Sequence, residues 1–306
     1  MLQIRQTMES FLNLIIGKEE GGPFSRFKSW EYCHQAFVRS RERQLTEDDI
    51  DNLALHLSFY LASWGMYRGS SFILQRDYKA HKNIVRIVLQ DKYNDLWDFN
   101  PVDKSGDELV RIASLADEAY KEINDNGYGE ILERVILDDG NDEDIVDERK
   151  ISYTLITKIL MGTFAITPAF DRFFIDGLKK YNNANHMKGS SYSQERLVKL
   201  FEFVQSHEDE LNVADNSTAF PYPMMKKVDM YFWEVGYEFG FIKPLEELKE
   251  YLEENGICNI NDGKKKRVLC KLIAQVSSFI PEASALNSTD LENITSIVRL
   301  IEQRVY

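Results

Sequence analysis

From Thr46 onward, Ile50, Leu53, Leu57, Tyr60, Leu61 and Trp64 recur at the i, i+3, i+4, i+7 spacing of one helix face. Leu55, Phe59, Ala62 and Met66 add a second apolar side, so the element is apolar nearly all round. That pattern places it at the centre of a core. Thr46 and Asp49 form a capping box ahead of it, each side chain satisfying a free N–H of the first turn.

The same rhythm predicts further helices. One covers the N-terminal run around Phe11 to Ile16, read as an amphipathic first helix rather than a secretory signal because no small-residue cleavage site follows. Others span Tyr78 to Trp97, Asp107 to Asn126, the short Glu130 to Leu137, and Ile151 to Met161. Thr167-Pro168 reads as the start of another, with Thr as cap, Pro in the first turn, and Phe170, Phe173, Phe174 and Leu178 as its buried side. Ser193 to about Leu211, Met225 to Phe239, Leu245 to Glu253, Arg267 to Phe279 and a capped C-terminal helix from Thr289 complete the series. Only Ser71 to Leu74 reads as a short strand. The expected fold is all-α, a compact multi-helix, bundle-like globule. The acidic, apolar-poor stretch 138–149 is its natural boundary if there are two lobes, 1–137 and 150–306.

Charge changes this picture locally. The net charge is −13, yet residues 1–100 carry 13 Lys+Arg against 13 Asp+Glu, and residues 151–200 carry 7 against 3. Residues 101–150 carry 6 against 16, and 201–250 carry 4 against 11. An acidic total repels phosphate backbones, which disfavours non-specific nucleic-acid binding and leaves room for a local basic face. Three widely spaced cysteines, Cys33, Cys258 and Cys270, without a CxxC, fit reduced thiols in a cytoplasmic protein. No stretch is long and apolar enough to predict a membrane span.

Common phosphate loops and the nucleophile elbow are missing from the sequence, and no spacing implies a cofactor. Glu31-x-x-His34 has the spacing of a two-ligand helix turn, but a di-iron bundle needs a second copy and the chain has none, so no metal is expected. Two stretches are denser in chemistry. In Trp64-Gly65-Met66-Tyr67-Arg68-Gly69-Ser70-Ser71, glycines at a helix end permit close approach of a ligand. Arg68, Ser70 and Ser71 could grip an anion there while Trp64 or Tyr67 stacks on a ring. The plainer alternative is a helix C-cap whose arginine pairs with a core carboxylate. The second stretch runs from Lys158 through Thr167-Pro168 to Asp171-Arg172, where Asp171 is the one plausible general base or electrostatic stabiliser. Its plainer alternative is a first-turn carboxylate facing the helix dipole.

The second stretch resembles helix-hairpin-helix DNA glycosylases, and Val228 to Gly236 is similar to a late helix of that superfamily. By that resemblance Asp171 matches the catalytic aspartate and Lys158 approaches DNA, and the neighbouring Arg172 is read as a further ligand-binding candidate. Where the family's glycine-bearing hairpin stands, this chain has the acidic DEDIVDERKIS. The segments SWEYC, FYLASWGMYRGSS and PAFDRFF also resemble an uncharacterised bacterial family. The expected function is therefore a pocket-bearing binding protein or enzyme for a small, phosphorylated or nucleobase-containing ligand, with Arg68 and Asp171 in one site. The competing class is a non-catalytic adaptor, for example in phage defence or regulation, presenting acidic surfaces to a basic partner.

Overall fold

The computed structural model describes residues 3–16, 26–68, 73, 76–129, 151–185, 191–213, 220–255, 268 and 271–273. These residues are 74% helical and contain no strand, so the chain is all-α. The helices are α1 (Ile4–Ile16), α2 (Lys28–Ser40), α3 (Glu47–Ser63), α4 (Lys82–Val88), α5 (Gly106–Asn126), α6 (Tyr153–Gly162), α7 (Arg172–Asn185), α8 (Gln194–Ser206), α9 (Glu208–Leu211), α10 (Met224–Tyr237) and α11 (Lys243–Asn255). No helix among the described residues is long and apolar enough to cross a membrane. The expected short helix at 130–137, the acidic stretch 138–149, the C-terminal helix from Thr289, and Ser70 and Ser71 lie outside the described residues. The same holds for the expected strand apart from Ile73, and for most of the helix expected over 267–279.

Two compact units divide the chain, residues 1–174 with 189–231, and residues 175–188 with 232–306. In the first unit, α3 packs on α2, α4 and α6, and α5 packs on α4, α6 and α8. In the second, Gly177 lies so close to α10 that a Cβ there would fall 1.9 Å from the Phe232 carbonyl oxygen. Only a glycine permits that approach. Tyr181 closes edge-on against the Phe232 ring, with centroids 5.6 Å apart.

The start of α3 follows its sequence closely. Asp49 N–H donates to Thr46 Oγ1 at 3.2 Å and Thr46 N–H donates to Asp49 Oδ2 at 2.9 Å, the expected box. Ile50, Leu53, Ala54, Leu57, Tyr60 and Leu61 are buried. The other side is not central to a core, which corrects the all-round reading: Leu55 and Phe59 are 51% and 54% exposed. The helix ends in a Schellman turn, with Met66 N–H on the Leu61 carbonyl (2.9 Å) and Gly65 N–H on that of Ala62 (3.0 Å). Gly65 sits at φ +75°, the left-handed conformation this cap requires and glycine adopts without strain.

Two expected helices are broken. Residues 78–97 form a 3₁₀ turn (Tyr78–His81), α4, and a second 3₁₀ turn (Asp91–Leu96), because Gln90 is extended at ψ 139°. The break lets Gln90, Lys92 and Tyr93 all donate to the Glu122 carboxylate of α5 at 2.8, 2.5 and 2.6 Å. Three charge-assisted bonds to one buried-edge acceptor outweigh the lost helical ladder. The helix expected from Thr167 begins instead at Arg172, because the loop before it turns on a bond from Asp171 N–H to Ala169 O, as described next.

Candidate functional site

Helix α6 is capped by Ser152, whose hydroxyl accepts from Leu155 N–H at 3.2 Å, and it is buried from Leu155 to Gly162. A Cβ on Gly162 would lie 2.6 Å from the Tyr60 ring, so this glycine lets α6 abut α3. The carbonyls at its C-terminus have no helical partner. Side chains one turn apart on α2 supply them: Trp30 Nε1–H donates to Met161 O at 2.9 Å, and His34 Nδ1 to Thr163 O at 2.7 Å. Because a carbonyl only accepts, His34 carries its proton on Nδ1. Burial lowers the imidazole pKa to about 4. Glu31 accepts from Lys28 at 2.8 Å and from the Tyr222 hydroxyl, so Glu31 and His34 serve separate structural partners. Among the described residues no group of three metal-ligating side chains gathers.

The loop after α6 is held by distant side chains. Phe170 N–H donates to Thr157 Oγ1 at 3.0 Å, and Ala169 N–H to Asp229 Oδ1 of α10 at 2.9 Å. Asp171 N–H, which a helix begun at Thr167 would direct to the Thr167 carbonyl, donates instead to Ala169 O at 2.7 Å, and Ala165 passes through φ +54°. Asp171 then caps α7, accepting from Phe174 N–H at 3.1 Å. Its other oxygen takes the Lys158 ammonium at 3.0 Å. Lys158 also reaches the Trp64 carbonyl at 3.5 Å, at the negative end of α3.

A second buried pair stands beside the first. Lys226 Nζ lies 2.8 Å from Asp229 Oδ2, both side chains being 10% exposed or less. The two lysines meet on one ring, Lys158 at 5.4 Å and Lys226 at 5.8 Å from the Trp64 ring centre, with Lys226 also 5.1 Å from Trp30. Such cation–π contacts strengthen as water is removed. Tyr60, one turn before Trp64 on α3, is buried, its phenol pKa pushed well up by burial first and then by Asp229, Cys33 and Asp171.

Trp64 itself is half-buried; Phe27 meets its ring edge-on at 5.5 Å, and a third cation lies beside it. Arg26 is exposed and sits 5.6 Å from the ring centre. Arg68, also exposed, folds back on the glycine that follows Trp64: a Cβ on Gly65 would touch its Nε at 2.7 Å. Neither guanidinium has a carboxylate partner among the described residues. The indole thus meets three cations, Arg26, Lys158 and Lys226, and the two lysines are each paired with an aspartate.

Of the residues expected from sequence, Trp64, Lys158 and Asp171 come together. Asp171 pairs with Lys158 and not with Arg68, which lies along the chain from Trp64. Arg172 is exposed at the start of α7. Tyr67 does not join the group. Its hydroxyl bonds His81 Nε2 at 2.6 Å and Ser58 Oγ at 2.9 Å, and His81 Nδ1 bonds the Tyr128 hydroxyl at 2.8 Å. Burial lowers the His81 pKa to about 4. Sequence reasoning missed Arg26, Trp30, Lys226 and Asp229. A signal for the last two was available: Lys226 and Asp229, with Lys227 and Glu234, are the charges that interrupt the apolar run of α10.

Compared with known proteins, the chain matches no protein-family model, no curated protein and no solved structure.

Proposed function

We propose that the cationic rim of Trp64 binds a small anionic ligand bearing a ring, a phosphorylated or nucleobase-containing compound. One observation carries this reading: Arg26, exposed and without a carboxylate partner among the described residues, lies on a half-buried indole that the Lys158 and Lys226 ammonium groups also meet, while exposed Arg68 folds against the adjoining Gly65. The guanidinium fork suits phosphate oxygens and the indole suits a stacked base, a pairing that point charges on a polar surface do not provide. Asp171, held by Lys158 and the first turn of α7, is the carboxylate placed to act on or stabilise positive charge in the ligand. The resemblance to helix-hairpin-helix DNA glycosylases supports a nucleobase-directed reaction, with Asp171 as the acting carboxylate and Lys158 as its positioning partner.

Tryptophan fluorescence titrated with AMP, with inorganic pyrophosphate and with a short single-stranded oligonucleotide tests the reading. AMP or the oligonucleotide should quench saturably and pyrophosphate much less, because only the former stack. Arg26→Gln with Arg68→Gln should weaken binding at least tenfold, about 1.4 kcal/mol or more, at unchanged melting temperature. No saturable change with any probe at millimolar concentration overturns the proposal. If the site is catalytic, Asp171→Asn should abolish base release from an oligonucleotide while the quench persists.

A second reading, a non-catalytic interaction protein, is favoured by a separate observation: the α3 face carrying Leu55 and Phe59 is open to solvent.

A further inference from the structure

The three cations on the Trp64 ring are held in different ways. Lys158 and Lys226 are buried, and each is paired with an aspartate, at 3.0 and 2.8 Å. Neither can leave the ring without stranding a carboxylate of low exposure. Phe27, edge-on to the indole, is anchored as well, since its other contact is the buried ring of Phe11 at 5.6 Å.

Arg26 differs from all three. Its backbone is fixed, the carbonyl accepting from Ser29 N–H at 3.1 Å in the turn that leads into α2. Its side chain is exposed and has no carboxylate partner among the described residues. The guanidinium lies instead on two rings, 5.4 Å from the centre of Phe27 and 5.6 Å from that of Trp64. A cation–π contact at an exposed position is weak, and it is lost at little cost. Of these neighbours of the indole, Arg26 is therefore the one that can move.

That freedom bears on what the ring can accept. A base stacks on an indole only where a ring face is clear, and a guanidinium on the ring competes for the same surface. Phosphate oxygens offer the guanidinium two parallel charge-assisted hydrogen bonds, which neither ring can match. A ligand with a phosphate thus supplies Arg26 with a better partner as it takes its place on the ring. A nucleoside must displace the same side chain and offers nothing in return. Arg68 is placed differently, against Gly65 and not on the ring, so it can meet a phosphate without uncovering the indole.

We infer that Arg26 is the specificity-determining residue of the Trp64 site: it covers the indole until a phosphate draws the guanidinium away, so that a nucleotide stacks in preference to its nucleoside. This role rests on the ligand class proposed above and sets the order of preference within it.

The test titrates the full chain, wild type and two variants, with AMP and with adenosine, following tryptophan fluorescence. Wild type should bind AMP about tenfold or more tighter than adenosine. Arg26→Ala should weaken AMP about threefold or more and tighten adenosine about twofold or more, because the phosphate loses a fork and the ring loses its cover. Arg68→Ala should weaken AMP and leave adenosine unchanged. Melting temperatures of both variants should match wild type, since both side chains are exposed. NMR of the wild-type chain gives a second readout. The Arg26 Nε–H signal, assigned by its loss in Arg26→Lys, should lie upfield in the free protein under the Trp64 ring current and move downfield as AMP saturates.

Three results overturn the proposal while leaving an AMP site at Trp64 intact. They are AMP binding with adenosine no tighter in Arg26→Ala, equal tightening of adenosine by Arg68→Ala, and an Arg26 Nε–H signal unmoved by saturating AMP. Wild type that binds neither compound at millimolar concentration overturns both this role and the proposed ligand class.

Discussion

The Schellman turn that ends α3 sends Trp64 and Tyr67 into two differently built environments. Trp64 enters a charged one, with buried Lys158–Asp171 and Lys226–Asp229 pairs meeting at its ring. Tyr67 enters a neutral one, a chain of hydroxyls and one imidazole running Ser58, Tyr67, His81, Tyr128. The charged cluster anchors backbone, since Asp229 takes the Ala169 N–H of the loop and Asp171 the Phe174 N–H of α7, each as well as a lysine. The neutral chain only ties side chains of neighbouring segments. Breaking a buried ion pair strands a charge, whereas breaking a neutral hydrogen bond strands a dipole. The two regions should therefore fail differently.

The largest expected effect is at Asp229. Asp229→Ala strands the Lys226 ammonium and frees the Ala169 N–H, and should cost about 3–5 kcal/mol in urea melts. A loss below about 1 kcal/mol would mean that Lys226 finds water and the pair is not a structural unit. Next in size is the acid response. His34 and His81 are held near pKa 4, below the value of 6.5 that each takes when exposed. The unfolded chain binds their protons first, so the stability they lend is complete above pH 6.5 and declines as pH falls toward 4. At full development each ring accounts for on the order of 3 kcal/mol. Thermal melts between pH 7 and 4.5 should show this slope, and His81→Gln should flatten it without removing the His34 share. A pH-independent melting temperature over that window would contradict neutral burial of both rings.

Smaller again is Tyr67→Phe. It removes the bonds to Ser58 and His81 and leaves the imidazole Nε2 without a partner, at about 1–2 kcal/mol. A cost equal to that of Asp229→Ala would erase the distinction between the two regions. Smallest is Arg68→Gln, which should leave stability within about 0.5 kcal/mol because the side chain is exposed. A larger loss in the same melts would make Arg68 part of the turn's architecture and not of a ligand rim.

The division between legible and illegible features follows the range of the interactions. The α3 capping box and the glycine end of that helix were readable, because both are settled within a few residues. Trp64, Lys158 and Asp171 could be singled out through glycine, aromatic and charge placed at helix ends, but it could not be read that Lys158 instead of Arg68 would pair with Asp171. The true start of α7 was not readable, because the loop before it is anchored on Thr157 and Asp229, the latter from 60 residues away. Trp30 and His34 stand one turn apart on α2, but nothing local says that they close the end of α6 about 130 residues on. The break after α4 depends on Glu122 of another helix, which periodicity within 78–97 cannot report. The exposed side of α3 misled for the opposite reason: an apolar face reads alike whether it meets a core or a partner.

The Trp64 rim is tested most directly by following lysine side-chain amines by NMR as AMP is added. The account expects Lys158 and Lys226 Nζ resonances to shift together along one saturable curve, with the exposed Lys79 amine unmoved. Shifts absent from both buried lysines, or equal at Lys79 and at the buried pair, would contradict a ligand site on this ring.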